Sequence, residues 1–180
     1  MSERTILKRL PNRLEPRKLA YSDTSFEGSV SADEVPRLLE ATRSISNVKA
    51  LLRFFVDDRK NCVINGSVSA DVVLECQRCL QALEPRQITA AVMVAVVNDE
   101  AKAEQLPKDL DPWILEEPEA DLYLLIEEEL LLSLPVVSYH KDECLDPSLY
   151  STGDIEAETI VKRSNPFDVL ASIKGKNEID

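Results

Sequence analysis

Cys62-Val63-Ile64-Asn65-Gly66-Ser67-Val68-Ser69-Ala70-Asp71-Val72-Val73-Leu74 decides the fold class. A run this long and this rich in β-branched residues reads as a strand, and the glycine at its middle, Gly66, predicts a bend or bulge. The stretch before it supports the reading. From Asn47 on, Val48, Ala50, Leu52 and Phe54 occupy alternate positions, as a strand with one buried face requires. Asp57-Asp58-Arg59-Lys60 makes a polar turn between the two, and a third strand follows from Gln87 to Val97. Three long strands in succession predict an α+β fold built on an antiparallel β-meander or partly closed, barrel-like sheet.

Helices on either side of these strands supply the second layer. Ser31-Ala32-Asp33-Glu34 has the hydroxyl, the acids and the spacing of a capping box, so a helix is expected from there to about Arg43, with Pro36 in its first turn. Val35, Leu38, Leu39 and Thr42 would form its packing stripe. A short helix is expected over Asp99 to Gln105, then an irregular acidic connector from Asp109 to Pro118 holding Trp113 as a packing anchor. Pro118-Glu119-Ala120-Asp121 opens a longer helix that Pro135 ends. Leu122, Leu125, Ile126, Leu130 and Leu134 face the sheet in this reading, and Glu127, Glu128 and Glu129 form a solvated face.

The expected organisation is a single domain over residues 1–150 with a basic N-terminal arm, then a flexible tail over 151–180. Within that tail, Asn165-Pro166-Phe167-Asp168-Val169-Leu170-Ala171-Ser172-Ile173-Lys174 carries Phe167, Leu170 and Ile173 on one helical stripe, which predicts a short amphipathic helix that docks on a partner.

Net charge is −12, and its distribution says more than its sum. Residues 1–18 carry Arg4, Lys8, Arg9, Arg13, Arg17 and Lys18 against two acids. Residues 98–129 carry twelve acids against two lysines. The basic end is the expected contact for nucleic-acid phosphate. The acidic middle reads as a solvated surface or as a face for a basic protein. No apolar run approaches the roughly 20 residues of a membrane span, and no signal segment opens the chain, so a cytoplasmic protein without membrane partners is expected.

Four cysteines without an export signal argue against a disulfide framework. Cys76 and Cys79, three apart at the end of a strand, can form half of a tetrahedral zinc site. His140 and Cys144, after the long helix, offer the other half. The alternatives are reduced structural cysteines or a thiol redox pair at Cys76 and Cys79; Cys62 reads as core. No phosphate loop, Ser-His-Asp set or His-Glu-x-x-His helix is present, and a single histidine leaves few routes to acid-base catalysis. No enzyme is expected.

Taken together, Leu74-Glu75-Cys76-Gln77-Arg78-Cys79-Leu80, the long helix followed by Leu134-Pro135-Val136-Val137 and His140, and the block Asn165-Pro166-Phe167 through Lys174 resemble the YceD family across nearly the whole chain. That resemblance implies bacterial ribosome biogenesis, specifically normal accumulation of 23S rRNA. Members of that family often carry a fuller set of cysteines after the Leu-Pro segment, where this chain offers His140 and Cys144. The implied partners are large-subunit rRNA or its precursor and a ribosomal protein or processing factor. The residues expected to meet them are the six N-terminal cations, Arg78, and Asn165, Pro166, Phe167, Leu170 and Lys174.

Overall fold

Alternation in the central strands is satisfied by one apolar face. The computed structural model describes residues 9–146, nearly all of them in one compact unit that ends at Cys144. In chain order it contains β1 (Arg13–Leu14), α1 (Pro16–Tyr21), β2 (Thr24–Ser29), a 3-10 turn (Ala32–Glu34), α2 (Pro36–Glu40), β3 (Ser44–Val56), β4 (Cys62–Val73), β5 (Arg86–Val97), α3 (Glu100–Ala103), β6 (Asp111–Ile114), β7 (Ala120–Asp121) and α4 (Leu122–Leu132). Strands β3, β4 and β5 pair antiparallel, and register places Phe54 beside Ile64 and Ile64 beside Val94. All three are buried, with Val48, Leu52, Val68 and Val72 extending the same core.

The α+β expectation holds, and the sheet is open rather than closed. Its strand order is β2-β3-β4-β5-β6, with β6 parallel to β5 and the other pairings antiparallel. Near Cys62 the second face is covered as well, where Val63, Ala95 and Leu110 form a smaller cluster with Phe55 and Leu106. Burial on both faces explains why Val94 to Val97 reads as a continuous apolar run.

Several local expectations are corrected. Gly66 is no bulge: it stays in register between Leu52 and Val92. Its role is close approach, since a Cβ there would lie 1.9 Å from the Leu51 carbonyl oxygen. The register shift falls instead between Ser46 and Lys49 of β3, where Asn47 takes a left-handed φ of 52°. The segment expected as an irregular connector includes β6, on which Trp113 packs against the core.

The capping box at Ser31 forms, yet the helix it opens stops after one turn. Val35 precedes proline and is driven out of the helical region, to φ −126° and ψ 65°, so α2 restarts at Pro36. Val35 and Leu38 are fully buried, whereas Leu39 is largely exposed.

The long helix begins later than expected, because Ala120 and Asp121 pair with β1. Asp121 caps α4 by accepting from the backbone N–H groups of Tyr123 at 2.9 Å and Leu124 at 3.2 Å. Leu122, Leu125, Ile126 and Leu130 point into the core as expected. Glu127 does too, against the solvated face predicted for it: it is 3% exposed, and its Oε1 accepts from the backbone N–H groups of Arg37 at 2.7 Å and Leu38 at 3.2 Å. Among the described residues no helix is long and apolar enough to cross a membrane.

Candidate metal centre

Beyond β4 the chain turns back on itself in a narrow hairpin. Leu83 N–H donates to the Leu74 carbonyl, Cys76 N–H to Gln81 and Leu80 N–H to Cys76, each at 2.8 Å. Closing so tight a loop puts Leu80 in the left-handed region at φ 59°. The turn carries Cys76 to its inside, fully buried, with Cys79 half-buried beside it. Arg43 braces the hairpin from the start of β3, donating to Glu75 Oε2 at 2.9 Å through Nε and to the Leu80 carbonyl at 2.6 Å.

The second half arrives from the segment after α4. Gln77 N–H donates to the Ser138 carbonyl at 2.9 Å. The Arg78 guanidinium donates to the carbonyls of His140 at 2.7 Å and Asp142 at 3.0 Å, and lies over the Tyr139 ring at 5.1 Å. These bonds set His140 Nδ1 3.4 Å from Cys79 Sγ and Cys144 Sγ 3.7 Å from Cys76 Sγ. All four ligand atoms lie within 4.8 Å of one another. The four residues singled out by spacing are thus brought to one point, and they are the ones placed to hold a metal ion. All four cysteines are free of disulfides.

Electrostatics divide the thiols. Burial pushes the Cys76 thiol up, but the backbone N–H groups of Cys79, Arg78 and His140, together with the Cys144 thiol, outweigh it and hold Cys76 down at about 5. Burial, with the hydrogen bonds the Cys144 thiol donates toward Cys79 and Cys76, pushes Cys144 up to about 11. The turn therefore stabilises a thiolate at Cys76, the form a metal requires.

Other residues proposed for partner contact are more dispersed. Arg9 pairs with Glu34, Arg13 with Glu119 at 3.8 Å and Lys18 with Glu15 at 3.5 Å, while Arg17 donates to the Asn98 side chain. The segment bearing them is folded, with Leu10 and Leu14 in the core and Tyr123 Oη donating to the Leu10 carbonyl at 2.5 Å. Arg4, Lys8, Asn165, Pro166, Phe167, Leu170 and Lys174 lie outside the described residues.

Arg78, which is exposed, is engaged within the site. Substituting it with alanine removes two charge-assisted bonds and a stacked ring, about 2 kcal/mol locally. We expect Arg78→Ala to leave the global melting temperature nearly unchanged while speeding removal of bound metal by a chelator about tenfold or more, followed by a colorimetric metal indicator. Arg43 and Glu75, which hold the hairpin from 32 positions apart, carried no local sequence signal.

Fold and site together define a class: small α+β proteins in which an open, mostly antiparallel sheet carries a four-residue Cys3His cluster beyond one central strand. Within that class the chain belongs to the YceD family, described as the large ribosomal RNA subunit accumulation protein, which it matches over residues 64–174. A relative from Haemophilus influenzae bearing the same description is 33% identical over 171 residues, covering 93% of this chain and 98% of the relative. No solved structure matches. The matched span contains the whole cluster.

Proposed function

We propose that the protein is a non-catalytic scaffold for accumulation of the large ribosomal RNA subunit, the 23S rRNA. In this role it binds large-subunit rRNA or its precursor together with a ribosomal protein or processing factor in the cytoplasm, and a structural zinc ion at Cys76, Cys79, His140 and Cys144 ties the strand-end hairpin to the segment after α4. The observation that carries the reading is the family match, which spans most of the chain and includes the cluster. Charge segregation supports the scaffold: a basic N-terminal segment suits phosphate, and the acidic stretch over residues 98–129 suits a basic protein.

Geometry supports zinc in particular. A tetrahedral ion with Zn–S about 2.3 Å and Zn–N about 2.0 to 2.1 Å holds its ligand atoms roughly 3.8 Å apart for S···S and roughly 3.5 Å for S···N. Two of the cluster's ligand pairs, at 3.7 Å and 3.4 Å, fall at those lengths, and all four ligand atoms lie within 4.8 Å of one another, so binding the ion would draw the remaining pairs in by at most about 1 Å. With four protein ligands the site is closed, the pattern of structural rather than catalytic zinc.

A second reading, thiol redox chemistry at Cys76 and Cys79, draws on the depressed Cys76 thiol. Attack on an external disulfide needs an accessible sulfur, and Cys76 has 0% exposure, so the structural reading is preferred.

Deleting the gene is expected to lower the ratio of 23S to 16S rRNA, with restoration by the wild-type chain. An unchanged ratio overturns the functional reading. Elemental analysis of protein purified without an affinity tag tests the metal separately: about one equivalent of zinc is expected, and less than about a tenth excludes it.

A further inference from the structure

Four cations that take part in none of the ion pairs among the described residues converge on one groove. Arg17 of α1, Arg59 and Lys60 of the β3–β4 turn and Lys102 of α3 line an open cavity of about 640 Å³. Arg9, Arg13, Lys18, Arg37, Arg43 and Arg53 are each matched to a carboxylate, whereas the groove's four are not. No acid lines the groove, in a chain of net charge −12. On the same turn the Asp57 carboxylate is engaged by the turn itself: its Oδ1 accepts from the backbone N–H groups of Arg59 at 2.9 Å and Asn61 at 2.7 Å, and its Oδ2 from Asn61 Nδ2 at 2.9 Å. Arg17 is held in place by the side chain of Asn98, which also lines the cavity. At the rim stands Tyr21, one turn along α1 from Arg17 and 77% exposed.

We infer that this groove binds a single-stranded RNA segment, its phosphates on Arg17, Arg59, Lys60 and Lys102 and one unpaired base stacked on Tyr21. The inference rests on the proposed rRNA-binding role and says where the contact is made. Cations spread over three elements around an open groove suit successive phosphates better than one small anion. An exposed aromatic ring beside them offers the stacking face that unpaired bases use and duplex bases cannot reach. An acidic protein segment would meet the same cations but would gain little from the ring.

The test uses the full chain and a fluorescent 12-nucleotide single-stranded RNA, followed by anisotropy from 50 to 300 mM salt. Four phosphate contacts predict a log–log salt slope of about −3, from about −0.7 per contact. Arg59→Ala with Lys60→Ala should weaken binding at least tenfold and flatten the slope by about 1.4. Tyr21→Ala should weaken binding about tenfold with the slope unchanged, because stacking is uncharged. Melting temperatures of these surface variants confirm that they fold. RNA binding by wild type that all three substitutions leave intact overturns the groove while the rRNA reading stands. Absence of RNA binding by wild type also overturns the groove, and the rRNA ratio in deletion strains then judges the broader role on its own. Loss of binding to an acidic peptide but not to RNA assigns the groove to a protein partner and overturns it as an RNA site.

Discussion

Replacing Cys76 with serine is expected to abolish stoichiometric zinc binding and lower the melting temperature by about 8 to 16 °C. The size follows from linkage: metal standing about a thousandfold above its dissociation constant stabilises the folded chain by about 4 kcal/mol, and each kcal/mol moves a chain of this length by about 2 to 4 °C. Zinc-finger peptides gain far more, roughly 10 to 16 kcal/mol, because metal is nearly all that holds them. Here the sheet keeps its own core of Phe54, Leu52, Ile64, Ile126 and Leu130, so the far-ultraviolet signal of the variant should stay close to wild type. Opening should be local, in the hairpin over 74–83 and the segment over 135–144, where amide hydrogen exchange should accelerate. Cys76 is the informative position because it is the fully buried member of the four. A variant that still holds an equivalent of zinc, or one that melts within about 2 °C of a wild type shown to contain zinc, would remove the metal from the account of stability.

How much of this was legible beforehand depends on whether the cause is local. Val48, Ala50, Leu52 and Phe54 announce a one-sided strand through alternation alone, and the Cys76–Cys79 spacing announces a turn with two thiols inside it. Such signals need no knowledge of the partner. The pairing of those thiols with His140 and Cys144 was open to reading only as an inventory of soft ligands. What brings them together is Arg78 reaching the carbonyls of His140 and Asp142, and no spacing rule contains that bond. The outer strands were missed for a related reason. Thr24–Ser29 and Asp111–Ile114 lie at the two edges, where one ladder partner suffices and Gly28 or Pro112 is tolerated. Gly66 shows a further limit. A glycine in a strand signals either a bulge or a close approach, and only the Leu51 carbonyl opposite it decides between them.

Glu127→Ala is expected to cost about 2 to 4 kcal/mol in denaturant unfolding, more than any change at Glu128 or Glu129. The three glutamates are adjacent in sequence, and their helix positions diverge by about 100° per residue, so one of them can face inward while its neighbours do not. What makes the inward position tolerable is α2. That helix starts at Pro36 and lacks a side-chain cap of its own at Val35, which leaves the first amides without partners. Glu127 reaches across from α4 and accepts from two of them, Arg37 and Leu38, with its negative charge at the positive end of the α2 dipole. Two charge-assisted bonds of about 1.5 to 3 kcal/mol each set the upper scale, and partial access of water to the Arg37 amide reduces it. Alanine leaves both donors unmet and a void beside Leu38. Glutamine retains an acceptor at the same reach, so Glu127→Gln should lose only about 1 kcal/mol. Equal losses for the two variants would show that charge, not the accepted bonds, is what matters, and a loss below about 0.5 kcal/mol for alanine would dismiss the cap. The same substitution should leave zinc content unchanged, because α2 and the cluster share no ligand. A stability defect with intact metal would therefore separate the support of α2 from that of the hairpin.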